Sequence, residues 1–320
     1  MSTTDGNCKE GASISNDVVC EVNDKLQKLS TADVPICANC GKEGEEVNNI
    51  CNKCKVTTYC NAVCKKVHKK KHKKDCEEHV RLATEKQNEE LRIAAELHDE
   101  KLFKQPPAED DCPICFLRMP SLGSGRTYFS CCGKTICNGC VYAPLYDNQG
   151  NEVDNKKCPF CRTPNPATEE EAVERGKKRV EMNDPIAIGK QGRYYRDGTD
   201  GFTQDYGKAL ELWHQAGELG YSAAYYSIGV SYSNGRGVEV DEKKAVHYTE
   251  LGAMRGDAAA RYNLGANEHK TGNMERAVRH FMIAAGAGDT DSLKRIQRLY
   301  SNGHATKDDY TKALKAYQSY

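Results

Sequence analysis

CANCGKEGEEVNNICNKCKVTTYCNAVCKKVHKKKHKKDC, residues 37–76, is polar throughout, and its cysteines decide how the first part of the chain folds. It reads Cys37-x2-Cys40, ten residues, Cys51-x2-Cys54, five residues, Cys60-x3-Cys64, seven residues, His72-x3-Cys76. Eight soft donors in forty residues suffice for two tetrahedral zinc ions. A Cys-x-x-Cys turn offers two thiolates to one metal, and donors four apart share one face of a helix. So polar a segment has no core in which cysteines would pack as small hydrophobes, which makes zinc its expected main stabiliser. In isolated finger peptides structural zinc contributes on the order of 10–16 kcal/mol.

At every ligand position, and in the dipeptide Tyr59-Cys60, this spacing resembles the MYND zinc finger. The resemblance implies interleaved sites, with Cys37, Cys40, Cys60 and Cys64 on one zinc and Cys51, Cys54, His72 and Cys76 on the other. His72, rather than His68, stands at the matched position. Such fingers mostly bind short proline-containing peptides, often through a Gln just after the sixth ligand and a Trp shortly before the His. Here Lys65 and the string KVHKKKH occupy those places, so zinc binding is expected without the usual peptide specificity. The seven lysines between Lys65 and Lys74 read as the solvated face of the last finger helix, with a nuclear-import or phosphate-contacting patch as the alternative.

Outward from this segment, residues 1–34 are polar and without sustained period, and are read as disordered, with Cys8 and Cys20 as ordinary thiols. The start of the chain has no apolar run of signal-peptide type, and no stretch approaches the ~18 apolar residues of a membrane span. A cytoplasmic or nuclear setting is expected, in which dense Cys-x-x-Cys spacing favours metal over disulfides. The 320 residues carry 46 basic and 46 acidic side chains, a balance that argues against a nucleic-acid partner. All 17 cysteines lie before residue 162. Between the cysteine blocks, residues 78–105 lack Gly and Pro, and Leu91, Ala94, Ala95, His98 and Leu102 recur at helical steps until Pro106 and Pro107, which predicts an amphipathic helical spacer.

The second block, residues 108–165, opens with Cys112-Pro113-Ile114-Cys115, continues through YFSCCGKTIC and Cys137-x2-Cys140, and closes with Cys158-Pro159-Phe160-Cys161-Arg162. It resembles a RING finger, which implies a cross-brace with Cys112, Cys115, Cys137 and Cys140 on one zinc. The family's usual Cys-Gly-His is Cys132-Gly133-Lys134 here, and a lysine ammonium has no lone pair to offer a metal. If Cys158 and Cys161 complete a second site, Cys131 and Cys132 are the only cysteines left in the block to do so. Adjacent strand residues point to opposite faces, so both reach one ion only if the chain turns there, which Gly133 permits. The alternative is a half-lost RING with one zinc. Lys134 is expected to offset the extra thiolate charge.

The resemblance also implies a role. A RING-type ubiquitin ligase does no covalent chemistry and acts by holding and orienting a charged E2 conjugating enzyme. Ile114, Pro159 and Phe160 stand at the E2-docking positions, and Arg162 directly follows the last ligand, where many active members carry an arginine that contacts both E2 and ubiquitin. No Ser-His-Asp set, phosphate loop or unengaged Cys/His pair suggests a self-contained enzyme.

Residues 167–183 predict a connecting helix that opens on a Thr168/Glu171 capping box. From 184 to 320 the chain repeats itself. Ala187, Ala224, Ala260 and Ser292 recur at intervals of 37, 36 and 32, followed by Gly192, Gly229 and Gly265, then Trp213, Thr249, Phe281 and Tyr317. The string IGVSYSNGRGVEVDEKKAVHYTELGAMRGDAAA, residues 228–260, resembles a Sel1-like repeat, a helix-turn-helix unit related to tetratricopeptide repeats. Such a period means a solenoid with a concave, partner-gripping surface, in which Trp213 belongs to the core and Tyr320 to a capping end.

The expected fold class is therefore multidomain: two small zinc-stabilised modules, at 35–77 and 108–165, followed by an all-α helix-turn-helix solenoid. Four Zn2+ ions per chain are expected, together with protein partners: an E2 at the RING-like module and a substrate protein or peptide on the repeats and the first finger. The leading functional reading is a RING-type E3 ubiquitin ligase. A non-catalytic scaffold with structural zinc fingers, and a nuclear regulator contacting nucleic acid through the lysine run, are the alternatives.

Overall fold

The computed structural model describes residues 35–107, 111–119, 125–143, 149 and 156–319. The expected disorder of residues 1–34, with Cys8 and Cys20, and the capping position of Tyr320 lie outside the described residues. The chain divides into two compact units, one ending at Lys101 and one beginning at Leu102.

In the first unit, β1 (Asn49–Ile50) and β2 (Thr58–Tyr59) form a minimal antiparallel pair, with Asn49 opposite Tyr59. Among the described residues its buried cluster is Cys37, Val47 and Tyr59, with Cys54, His72 and Cys76 the other buried side chains, too little apolar burial to hold forty polar residues by itself. Helix α1 follows as one element, Ala62–Phe103. The sequence predicted a separate spacer at 78–105; instead the last finger helix runs through it without a break, because no Gly or Pro interrupts the run. The expected apolar face is also corrected, since Leu91 is 63% exposed and only Leu102 of the predicted series is buried. Charge pairs take the place of a buried stripe: Arg81 bridges Glu78 and Glu85, and Arg92 bridges Glu89 and Glu96, at three- and four-residue spacing.

The second unit begins with the last turn of α1. A hairpin of β3 (Arg126–Phe129) and β4 (Lys134–Cys137) leads into the short helix α2 (Asn138–Tyr142). Helix α3 (Glu169–Glu181) starts at the Thr168 cap, whose Oγ1 accepts from Glu171 N–H. Four helix pairs then stack: α4 (Pro185–Asp197) with α5 (Tyr206–Glu218), α6 (Ser222–Asn234) with α7 (Glu242–Met254), α8 (Ala258–Thr271) with α9 (Met274–Gly286), and α10 (Thr290–Ser301) with α11 (Lys307–Gln318). Asp184, Asp205, Asp241, Asp257 and Asp289 each cap a helix start through the side chain.

The repeated small and large residues explain the packing. Trp213 fills the space against α4 and donates from Nε1 to Gly189 O at 3.1 Å. A Cβ on Gly192 would stand 2.6 Å from that Nε1, so the tryptophan is accommodated because the facing residue has no side chain. Phe281 is buried in the third pair in the same relation to Gly265. The end of α1 belongs to this core as well. Leu102 is buried against Ala253, Ala260 and Leu264, and Arg261, only 1% exposed, donates to Leu102 O at 2.6 Å and Ala253 O at 2.8 Å. That guanidinium satisfies a terminal carbonyl of α1 that has no intrahelical partner.

Candidate metal centres

Four Cys-x-x-Cys turns share one backbone solution. In each, the residue after the second cysteine takes a left-handed conformation: Gly41 (φ 74°), Lys55 (φ 59°), Phe116 (φ 58°) and Arg162 (φ 64°). Its N–H returns to the first cysteine's carbonyl, as in Phe116 to Cys112 at 2.9 Å and Arg162 to Cys158 at 2.9 Å. The knuckle aims both side chains and several N–H groups at one point. Burial opposes ionisation of Cys112, but the N–H groups of Cys115, Cys137 and Ile114 outweigh it and bring the thiol down to about 6. Cys54 likewise falls to about 5, with burial outweighed by the N–H groups of Thr57 and Val56.

These turns assemble four donor sets, each with all its donor atoms within 4.8 Å of one another. Cys37, Cys40, Cys60 and Cys64 form the first, and Cys51, Cys54, His72 and Cys76 the second. Cys112, Cys115, Cys137 and Cys140 form the third, and Cys131, Cys132, Cys158 and Cys161 the fourth. In both modules alternate pairs along the chain share a set, the cross-braced order implied by the resemblances.

The spacing of the sulfurs tests the fit to zinc. Ligands about 2.3 Å from a tetrahedral zinc lie roughly 3.8 Å apart along an edge. The observed edges are 3.4 Å for Cys131–Cys161, 3.6 Å for Cys40–Cys60 and Cys60–Cys64, 3.7 Å for Cys51–Cys76 and Cys115–Cys137, and 3.9 Å for Cys132–Cys158. Cys54 Sγ lies 3.4 Å from His72 Nε2. Disulfide-bonded sulfurs would be near 2.05 Å, so these are donor sets and not bridges. Within a set the thiols also oppose one another. Burial together with hydrogen bonding to Cys51 and Cys54 pushes Cys76 up to about 11, while Cys54 is pulled down. A dication removes that conflict by favouring the thiolate at every position.

In the first module α1 presents Cys64, His72 and Cys76, and Thr57 Oγ1 lies 3.4 Å from His72 Nδ1, on the ring edge away from the donor set. His68 is not in the set; its ring stacks on His72 and tilts against Tyr59. Lys65, where the family often has Gln, turns inward to donate to Ile50 O at 2.6 Å and Asn52 Oδ1 at 2.9 Å. The neighbouring lysines of the run are exposed.

The second module resolves the adjacent cysteines. Phe129 pairs with Lys134 across the hairpin, which places Cys131 and Cys132 in the connecting turn and frees both from strand alternation. Gly133 closes the turn at φ 69° and donates to Phe129 O at 2.8 Å. Cys131 Sγ then lies 3.4 Å from Cys161 Sγ, and Cys132 Sγ 3.9 Å from Cys158 Sγ. Lys134 does not supply the balancing charge expected of its side chain, which is exposed; its backbone N–H is what reaches Cys132.

Arg179 is the cation at this turn. From α3 it donates through Nε to Ser130 O and through Nη2 to Cys131 O, both at 2.9 Å. Tyr128 donates its hydroxyl to Asp184 Oδ2 at 2.7 Å. A side chain at residue 133 would meet both clamps, its Cβ 2.8 Å from Asp184 Oδ2 and 3.0 Å from Arg179 Nη1. Sequence reasoning missed Arg179 and Asp184 because they lie some fifty residues from the turn and carry ordinary helix-end signals.

Of the predicted E2-docking residues, Ile114 is 36% and Phe160 43% exposed; Arg162 is exposed and Pro159 half-buried. Phe116, 76% exposed, and Leu117 are further exposed apolar side chains just after the first knuckle, which the sequence reading did not single out. No helix among the described residues is long and apolar enough to cross a membrane.

Comparison with known proteins places two of these parts. Residues 37–76 match the MYND finger model, and residues 187–221 and 222–257 match the Sel1 repeat model. The chain thus carries a MYND finger followed by a helical Sel1-repeat region. E3 ubiquitin-protein ligase DA2 of Arabidopsis thaliana is 42% identical over 76 residues, 22% of this chain and 17% of its own length. E3 ubiquitin-protein ligase GW2 of Oryza sativa subsp. indica is 37% identical over 70 residues, 22% of this chain and 15% of its own. The chain therefore spans less than a fifth of either relative. A Sel1 repeat protein from Oxalobacter formigenes, of known structure, is 34% identical over 47% of this chain and 62% of its own, with a TM-score of 0.41.

Proposed function

We propose that the protein is a zinc-dependent E3 ubiquitin ligase of RING type. In this reading residues 108–165 dock a charged E2, and the Sel1 repeats and MYND finger recruit the protein to be modified. The observation that carries the reading is the cross-braced all-cysteine module with Ile114 and Phe160 exposed on its two outer knuckles. The short matches to the two plant ligases support it.

Zinc in this module would be structural: held by the four thiolates of each set, one ion would tie the Cys112–Cys115 knuckle to Cys137 and Cys140, and the other the Cys158–Cys161 knuckle to the Cys131–Cys132 turn. The chain's own residues do the rest. Ile114, Pro159 and Phe160 offer an apolar seat to the E2. Arg162, whose backbone is pinned by its hydrogen bond to Cys158 O, presents a guanidinium beside that seat, where it can hold ubiquitin against the E2 and orient the thioester. Catalysis would be by positioning and electrostatics, with the nucleophile supplied by the substrate lysine.

The test is discharge of ubiquitin from a panel of charged E2 enzymes onto free lysine. Wild type should accelerate discharge with at least one E2, and Ile114→Ala and Arg162→Ala should each lose most of the stimulation with zinc content unchanged. No stimulation by wild type with any E2 would leave the protein as a binding scaffold.

A further inference from the structure

A cavity of about 330 Å³ opens between the hairpin turn of the second module and helices α3 and α4. Its size is at the small end for ligand sites. Tyr128, Phe129, Tyr194 and Phe202 give it aromatic walls, with the last two rings stacked at 5.8 Å. Lys190 and Gln191 enter from α4, and Cys131 closes one side.

The charges around the cavity are unevenly satisfied. Arg175 is committed to Pro164 O at 2.7 Å and Glu171 Oε1 at 2.6 Å, and Arg179 to the turn carbonyls. Asp184 is occupied by Tyr128 and by the N–H groups that open α4. Lys190 differs. Its ammonium sits 4.7 Å from the centre of the Tyr128 ring, and it makes no ion pair among the described residues. Burial draws its pKa down and the like charge of Arg193 adds to this, while the Asp184 carboxylate, not in contact with it, offsets them only in part. The Gln191 side chain makes no hydrogen bond among the described residues either. One unpaired cation and one uncommitted amide in an aromatic cup suit a monoanion on an apolar body. A phosphate dianion would call for the arginine forks that are already engaged here.

We propose that this cavity binds a carboxylate carried on an aromatic or branched aliphatic group, with Lys190 and Gln191 holding the carboxylate and the aromatic walls holding the body. Two sources offer that chemistry: a small free acid, and the C-terminal residue of a polypeptide. Gly176, on the α3 wall, gives a clean plug. A Cβ there meets nothing within 4 Å, so Gly176→Leu fills the cavity while favouring its helix.

The experiment is titration of the full-length, zinc-loaded protein, without E2, with 3-phenylpropionate, with the peptide Gly-Ser-Gly-Ser-Phe, and with the same peptide as its C-terminal amide. Failure of the ligase reading therefore leaves this test intact. At least one of the two free acids should bind, and the amide should be weaker than the free peptide by about tenfold or more if the peptide binds. Lys190→Met should weaken acid binding by a similar factor, and Gly176→Leu should abolish it, both with unchanged zinc content and melting temperature. Binding of the acid peptide assigns a chain terminus, and binding of phenylpropionate alone assigns a free acid. Equal binding of acid and amide peptides, binding retained in Gly176→Leu, or no binding of either acid at millimolar concentration would overturn the proposal.

Discussion

The two cysteine modules share a cross-braced donor order and the same left-handed knuckles, yet they are supported differently. The first is backed by its own helix, since α1 carries three of the eight donors and begins two residues after Cys60. The second is a hairpin turn clamped from outside, by Arg179 on its carbonyls and Asp184 on Tyr128. A module that carries its own buttress should stand or fall with its metal. One that leans on helices α3 and α4 should also respond to changes in those helices, far from any ligand.

The largest effects that would sharpen this contrast come from ligand loss. Cys54→Ser should release zinc and unfold residues 37–76 while leaving the hairpin module intact, measured as protease cleavage confined to that segment. Trp213→Ala comes next, with a cost of about 3–5 kcal/mol in the first helix pairs. By calorimetry it should lower the repeat transition and spare zinc in the MYND finger.

Arg179→Ala tests the outside clamp. It strips two charge-assisted hydrogen bonds from the turn and should cost about 1.5–3 kcal/mol in the second module, read as faster zinc loss to a chelator from that module alone. Equal loss from both modules would break the comparison. Lys134→Ala should change the same rate little, because its exposed side chain is not the turn's cation.

The last prediction concerns pH, where the effect is graded over several units. Burial, reinforced by Arg261, Arg276 and Arg279, depresses the His280 imidazole from 6.5 to about 3. Protonation is thus favoured in the unfolded chain, and repeat stability should fall as pH drops from about 6.5 toward 3, by at most roughly 1.4 kcal/mol per unit. Compared with wild type, His280→Leu should show a shallower fall in denaturant midpoint over that window.

What could be read in advance follows the range of the interactions. The donor sets were nameable because cysteine spacing is local and its chemistry narrow. The repeat was nameable because Gly192 and Trp213 recur as a small-and-large pair. Long-range partners left no such trace. Arg261 carries no local signal of its burial on the Leu102 carbonyl, and Leu102 itself reads in the sequence as part of a spacer. The Lys134 side chain is exposed, and the guanidinium that reaches the turn is Arg179, delivered by α3 to the carbonyls of Ser130 and Cys131.

Adjacent Cys131 and Cys132 closing on one ion is the claim on which the second module rests. Metal counting on the full-length chain tests it most directly: four zinc ions per chain are predicted, falling to three in Cys132→Ser with the MYND finger still folded. Three ions in the wild type, with no further loss in Cys132→Ser, would contradict it.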